Sequence, residues 1–83
     1  MNYDKLPPHT AASFKRYIEQ RTPLGGFGMA VVENNLVKAF TRADSINVAA
    51  MKDIVGWLYW EAPAQCWGSP EKVKAWLKGE SDD

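Results

Sequence analysis

The chain has 83 residues, of which 46% are hydrophobic and 24% are charged, with ten basic and ten acidic side chains. This length predicts one domain, residues 1–83, with a small core, and the zero net charge argues against a dedicated nucleic-acid-binding protein. The only cysteine, Cys66, allows no intrachain disulfide and predicts a reducing, cytoplasmic setting. No apolar run approaches the roughly 20 residues of a membrane span.

The charges are unevenly distributed along the chain. Residues 1–42 carry six basic and three acidic side chains (+3), and residues 43–83 carry four and seven (−3). The chain is also rich in aromatic residues, with four Trp, three Tyr and three Phe. The small size, the many aromatic residues and the charge asymmetry together favour self-association, so we expect a homo-oligomer.

The hydrophobic pattern predicts an all-α fold, a compact bundle of four to five short helices. Residues 1–7 are expected to form an N-terminal arm, because Pro7-Pro8 disfavours a helix before it, and residues 80–83 a frayed acidic tail. A first helix is expected from about His9 to Gln20, and Thr22-Pro23 ends it.

The segment from Gly26 to Arg42 is expected to form two helices. Asn34-Asn35 interrupts it, because Asn side chains compete for backbone hydrogen bonds, and Asn35 can cap the helix that follows. This third helix is expected to bury three side chains: Leu36, Ala39 and Phe40. A single continuous helix through the Asn pair is the alternative.

The longest helical pattern, Ser45 to Trp60, predicts a central helix. Asp44 or Ser45 can cap it, and Pro63 lies just past its end. Its apolar residues cover a wide surface that should have neighbours on two or more sides: Ile46, Ala50, Met51, Ile54, Val55, Trp57, Leu58 and Tyr59. After a loop, Ser69-Pro70 is a strong start for a last helix, which Gly79 ends.

Signals for catalysis are weak in this sequence. The carboxylates do not occur in pairs at metal or acid–base spacing, and nothing brings His9 and Cys66 together as a nucleophile pair. No phosphate-loop or zinc motif is present. We therefore expect no enzyme activity, no catalytic residue, no metal and no cofactor.

The strongest local feature is the glycine-rich loop Gly25-Gly26-Phe27-Gly28, which precedes a helix. Such a loop can hold a phosphate or carboxylate, and Arg16 and Arg21 could add positive charge. Alternatively, the glycines only allow a tight corner between two helices.

Two further groups of residues are candidates for binding. Arg42 and Asn47 flank a helix junction and could face a cleft that binds a polar ligand, or could only hold two helices in register. Trp60 and Trp67, near a helix end and in a loop, are candidates for exposure at a partner-binding surface. Alternatively, both Trp side chains pin the 61–69 loop onto the body.

A set of short motifs spread over residues 6–78 resembles a group of small, largely uncharacterised proteins of tailed bacteriophages and prophages. The motifs are Leu6-Pro7-Pro8-His9, Arg16-Tyr17-Ile18-Glu19, Pro23, Gly25, Phe27, Ala30-Val31, Asn35-Leu36, Ala39-Phe40, Arg42-Ala43-Asp44, Asn47, Asp53-Ile54-Val55, Leu58-Tyr59, Glu61-Ala62-Pro63, Cys66-Trp67-Gly68-Ser69-Pro70-Glu71-Lys72-Val73 and Trp76-Leu77. The resemblance implies a phage accessory protein that acts inside a bacterial host. It identifies no functional residue.

Together these features predict a non-catalytic protein that binds and inhibits or sequesters a host component, for example of anti-phage defence. The partner would be a host bacterial protein or, if the protein is an oligomeric sponge, a small anionic nucleotide. The chain could instead be a small metal-dependent nucleotide hydrolase that uses Asp53 or Glu61, or a DNA-binding regulator built on residues 27–42.

Overall fold

The structure, a computed structural model, describes residues 1–79, so the predicted acidic tail lies outside the described residues. Its secondary structure is six α-helices and one short 3₁₀ helix, with no strand among residues 1–79. The α-helices are α1 (Pro8–Gln20), α2 (Gly26–Val32), α3 (Leu36–Arg42), α4 (Ser45–Ala49), α5 (Met51–Glu61) and α6 (Pro70–Leu77); the 3₁₀ helix is Ala64–Cys66. The all-α prediction is confirmed.

Two predicted helix starts are confirmed by the hydrogen bonds of their caps. The Asn35 side chain accepts from the Lys38 amide, and the Ser69 hydroxyl accepts from the Lys72 amide. Asn34 adopts a left-handed conformation with φ 64°, which ends α2 and separates it from α3. Two helices therefore span residues 26–42, and the single-helix alternative is wrong.

The prediction of one continuous helix from Ser45 to Trp60 is wrong. The helix divides at Ala50 into α4 and α5. Asn47 in α4 accepts a 2.6 Å hydrogen bond from the Thr10 hydroxyl, so α4 is attached to α1, whereas α5 packs into the core. The spacing of apolar residues carries no signal of this change, which is accompanied by a contact between residues 37 positions apart.

The core is formed mainly by α1, α2, α5 and α6. Its largest fully buried side chains include Phe14, Tyr17, Ile54 and Trp57. The N-terminal arm packs against it, because Leu6 is buried and the Tyr3 ring lies 5.1 Å from the Trp57 ring.

Polar contacts fasten the C-terminal part of the chain onto α1 and α2. The Tyr17 hydroxyl donates to the Cys66 carbonyl at 2.7 Å, and the Trp76 indole donates to the Tyr17 carbonyl at 3.0 Å. The Gly68 amide donates to the Val32 carbonyl at 2.7 Å. Each bond ties a loop or helix to a distant part of the sequence.

The predicted burial on α3 and on the central helix is only partly observed. Ala39 is buried, but Leu36 and Phe40 are exposed, as are Val55 and Tyr59 of α5. A seven-residue helix packs only one narrow side against its neighbour, and in α3 this side carries Ala39. Ile46 is exposed too, and no other residue of α4 is buried.

Candidate functional site

Most of the predicted ligand-binding residues come together at one surface cleft of about 210 Å³ between α1, α2 and α4. We call it the Gly26 cleft. It is lined by His9, Thr10, Ser13, Phe14, Leu24, Gly25, Gly26, Phe27, Gly28 and Asn47. Four predicted residues, Gly25, Gly26, Phe27 and Asn47, therefore lie in its wall although up to 22 residues separate them in the chain.

Other groups approach the glycine backbone closely at two positions in this wall, an arginine side chain that can move at Gly26 and a Cβ atom that cannot at Gly28. A Cβ atom at Gly26 would lie 2.6 Å from the Arg42 guanidinium, and one at Gly28 would lie 2.9 Å from the Leu24 Cβ. The predicted tight corner is thus real, and it also places the Arg42 guanidinium against the cleft wall.

A second arginine, Arg16, lies beside another lining residue of the Gly26 cleft. The Arg16 guanidinium donates to the Ser13 hydroxyl at 3.4 Å, and Ser13 lines the cleft. Both Arg16 and Arg42 are exposed. Two guanidinium groups beside one concave surface can bind a phosphate or carboxylate by charge-assisted hydrogen bonds.

The polar side of the cleft is held by contacts between helices. The Thr10 hydroxyl is buried and donates to the Asn47 side-chain oxygen at 2.6 Å. The Asp44 carboxylate accepts from the Asn47 amide at 2.8 Å and thereby caps α4. Asn47 is therefore held through its side chain by Thr10 of α1 and through its backbone N–H by Asp44, and it links α4 to α1 while it lines the cleft.

Three predicted ligand-binding residues do not line the cleft: Arg16 and Arg42 lie beside lining residues, and Arg21 contacts α6. Its guanidinium lies 3.7 Å from the centre of the Trp76 ring and donates to the Trp76 carbonyl at 2.8 Å. Arg21 has a left-handed backbone with φ 58°, which ends α1. Arg21 thus joins α1 to α6.

The two predicted partner-binding tryptophans differ in exposure. Trp60 is 79% exposed and lines a second cleft of about 250 Å³ with Lys5, Lys52 and Asp53. Trp67 is half-buried and packs against the core, in agreement with the alternative that it pins the loop.

Cys66 is fully buried, and burial raises the pKa of its thiol to about 11. A nucleophilic cysteine needs the opposite shift, because the thiolate is the reactive form. Within residues 1–79, no group of three or more His, Cys, Asp or Glu side chains is close enough to hold a metal ion. In the same part of the chain, no helix has the length and apolar character to cross a membrane.

Sequence reasoning missed four cleft residues of α1: His9, Thr10, Ser13 and Phe14. Thr10 precedes the buried Phe14 by one helical turn. This spacing indicates that Thr10 also lies on the inner side of α1. The chain matches no protein-family model, no curated protein and no solved structure. The phage resemblance therefore rests on the sequence pattern alone.

Proposed function

We propose that this chain is a non-catalytic, phage-type accessory protein that sequesters a small anionic component of its bacterial host, acting in the cytoplasm. The observation that carries the proposal is the Gly26 cleft, with the Arg42 guanidinium beside its lining residue Gly26 and the Arg16 guanidinium beside its lining residue Ser13. The host and the cytoplasmic setting come from the phage resemblance and from the single cysteine.

The chemistry of the cleft favours a phosphorylated nucleotide as its ligand. Phe27, a partly buried residue of the lining, supplies an apolar surface on which a base or sugar can pack. Arg16 and Arg42 supply positive charge for a phosphate from beside Ser13 and Gly26, and Ser13 and Asn47 supply polar atoms in the lining. Because α2 has only seven residues, we assign the anion preference to these side chains.

The test is isothermal titration calorimetry with AMP and with adenosine, which differ only in the phosphate. We expect AMP to bind and adenosine to bind at least tenfold more weakly. Arg42→Gln should weaken AMP binding about tenfold or more, since a hydrogen bond to a charged group contributes roughly 1.5–3 kcal/mol. Lys38→Gln is the matched control, because Lys38 lies on the same helix and carries the same charge, but it is not among the neighbours of Gly26.

Two outcomes would contradict the proposal. Equal binding of AMP and adenosine would show that the phosphate is not recognised, and equal losses in the two variants would remove the role of Arg42. Recovery of unchanged AMP after incubation with Mg²⁺ is expected; its hydrolysis would favour a nucleotide hydrolase instead.

The exposed Trp60 supports a second candidate function, docking on a host bacterial protein. Its ring packs edge-on against Tyr59 at 4.8 Å and borders the cleft that also contains Lys52 and Asp53. An exposed Trp with charged neighbours is typical of binding hot spots. A host protein retained by the wild type and by Ile46→Ala, but lost with Trp60→Ala, would support this candidate; equal retention by all three would contradict it.

A further inference from the structure

One face of the molecule carries an unusual number of exposed apolar side chains. On α3 these are Leu36 (66% exposed), Val37 (74%) and Phe40, and on α5 they are Val55 and Tyr59 (66%). We call this set the α3–α5 face. Leu36 and Val55 line the same groove of about 110 Å³, so the two helices contribute to one continuous surface.

We propose that a second copy of this chain covers the α3–α5 face, forming a two-fold dimer in which α3 of each copy lies against α5 of the other. This inference goes beyond the ligand-binding function, because the α3–α5 face and the Gly26 cleft share no lining residue.

The shape of the face suits contact with itself. Leu36 and Phe40 are four residues apart and form a ridge along α3. The groove beside them is lined largely by apolar side chains that include Ala30, Ala39 and Met51. A two-fold axis places the ridge of each copy in the groove of the other, as an isologous interface requires.

The area of the face is sufficient for a specific dimer. Its five side chains expose on the order of 500 Å² per copy, and a contact that buries them and their surroundings on both copies reaches the roughly 1,200 Å² of a specific interface. A patch of this size is at the upper end of what monomers expose.

The charges permit this pairing. The described residues that line the groove include no charged side chain, so the apolar contact buries no charge there. The whole chain has zero net charge, so two copies do not repel each other overall.

The test is sedimentation equilibrium of the full chain between 1 and about 200 µM, a range that spans typical dimer affinities. We expect the wild type to reach twice the 9.3 kDa chain mass. Val37→Glu should raise the dimer Kd at least tenfold, because it places a charge in the apolar contact. Ile46→Glu is the control: it makes the same charge change at a similarly exposed residue of α4, which is not part of the α3–α5 face.

Tyr59→Arg provides an independent variant on α5 and should also weaken the dimer. Circular dichroism should show wild-type helix content for all three variants, since their substituted side chains are exposed. A wild type that stays monomeric up to 200 µM would overturn the proposal. So would a dimer that Val37→Glu and Tyr59→Arg leave intact, or one that Ile46→Glu disrupts equally. AMP binding by a monomer would leave the proposed function standing.

Discussion

Two glycines differ in whether the structure has room for a side chain at their positions. Gly28 is buried, and a Cβ there would lie 2.9 Å from the Leu24 Cβ, close to the backbone of Leu24 where little movement is available. Gly56 lies within α5, and a Cβ there would meet nothing within 4 Å.

We therefore predict that Gly28→Ala lowers the free energy of unfolding by roughly 1–3 kcal/mol through overpacking. Gly56→Ala should raise it by about 0.5–1 kcal/mol, because alanine is favoured within a helix. Urea denaturation followed by circular dichroism measures both. Equal stability of Gly28→Ala and the wild type would show that the corner between Leu24 and Gly28 is not closely packed.

Because of Cys66, we expect the free energy of unfolding to decrease at alkaline pH. Burial raises the pKa of its thiol from 9.0 to about 11, so the folded state keeps the proton over a range in which the unfolded chain releases it. The resulting stabilisation is complete below pH 9 and is lost as the pH rises through about 11.

The expected result is a urea midpoint that falls between pH 9 and pH 11. Burial and a hydrogen bond to Glu19 also raise the pKa of Tyr3, to about 12, which acts in the same direction. Comparison with Cys66→Ala isolates the thiol contribution: its midpoint should fall less steeply over this range. Parallel curves for the two proteins would contradict the role of the thiol.

At the level of single elements, α4 differs from the other α-helices because it buries no side chain. Its attachment depends on the Asp44 cap and on the hydrogen bond between Thr10 and Asn47. A five-residue helix is unstable by itself, so these two contacts determine whether it forms.

We predict that Asp44→Ala unfolds α4 locally and leaves most of the core intact. Amide hydrogen exchange should become faster at Asn47 and Val48, whereas the amides of α5 should exchange as in the wild type. Ser69→Ala removes the cap of α6, which buries Val73 and Trp76, and should instead lower global stability by about 1 kcal/mol. Faster exchange throughout α5 in Asp44→Ala would show that α4 and α5 unfold together.

The helix caps and turns were predictable from the sequence because they depend on local chemistry. Asn35, Asp44 and Ser69 act within three residues of their own positions. The division of the central helix at Ala50 was not predictable, because the Thr10–Asn47 contact that accompanies it joins distant segments.

At the scale of the whole molecule, the candidate site was also only partly predictable from the sequence. Gly25, Gly26 and Phe27 were recognisable as a local motif, but only the fold reveals that Asn47 and Arg42 lie beside them. The exposure of Leu36 and Phe40 was missed for a related reason. An apolar pattern predicts a surface that excludes water, and it does not say whether the same chain or a partner covers that surface.

Sequestration of a small anion requires a complex that survives purification or forms on addition of ligand, so native mass spectrometry measures it most directly. The protein should be purified from bacteria and analysed as isolated and after addition of excess AMP. Gly26→Ala is the informative variant, because its methyl group would displace the Arg42 guanidinium from the cleft wall. Gly56→Ala is the control.

We predict that the wild type and Gly56→Ala carry one small anion per cleft, either retained from the cell or supplied as AMP, and that Gly26→Ala loses most of it. The same ligand occupancy in Gly26→Ala and the wild type would show that the Gly26 cleft is not the binding site. A wild type that stays ligand-free in excess AMP would contradict the proposed capture of a phosphorylated nucleotide.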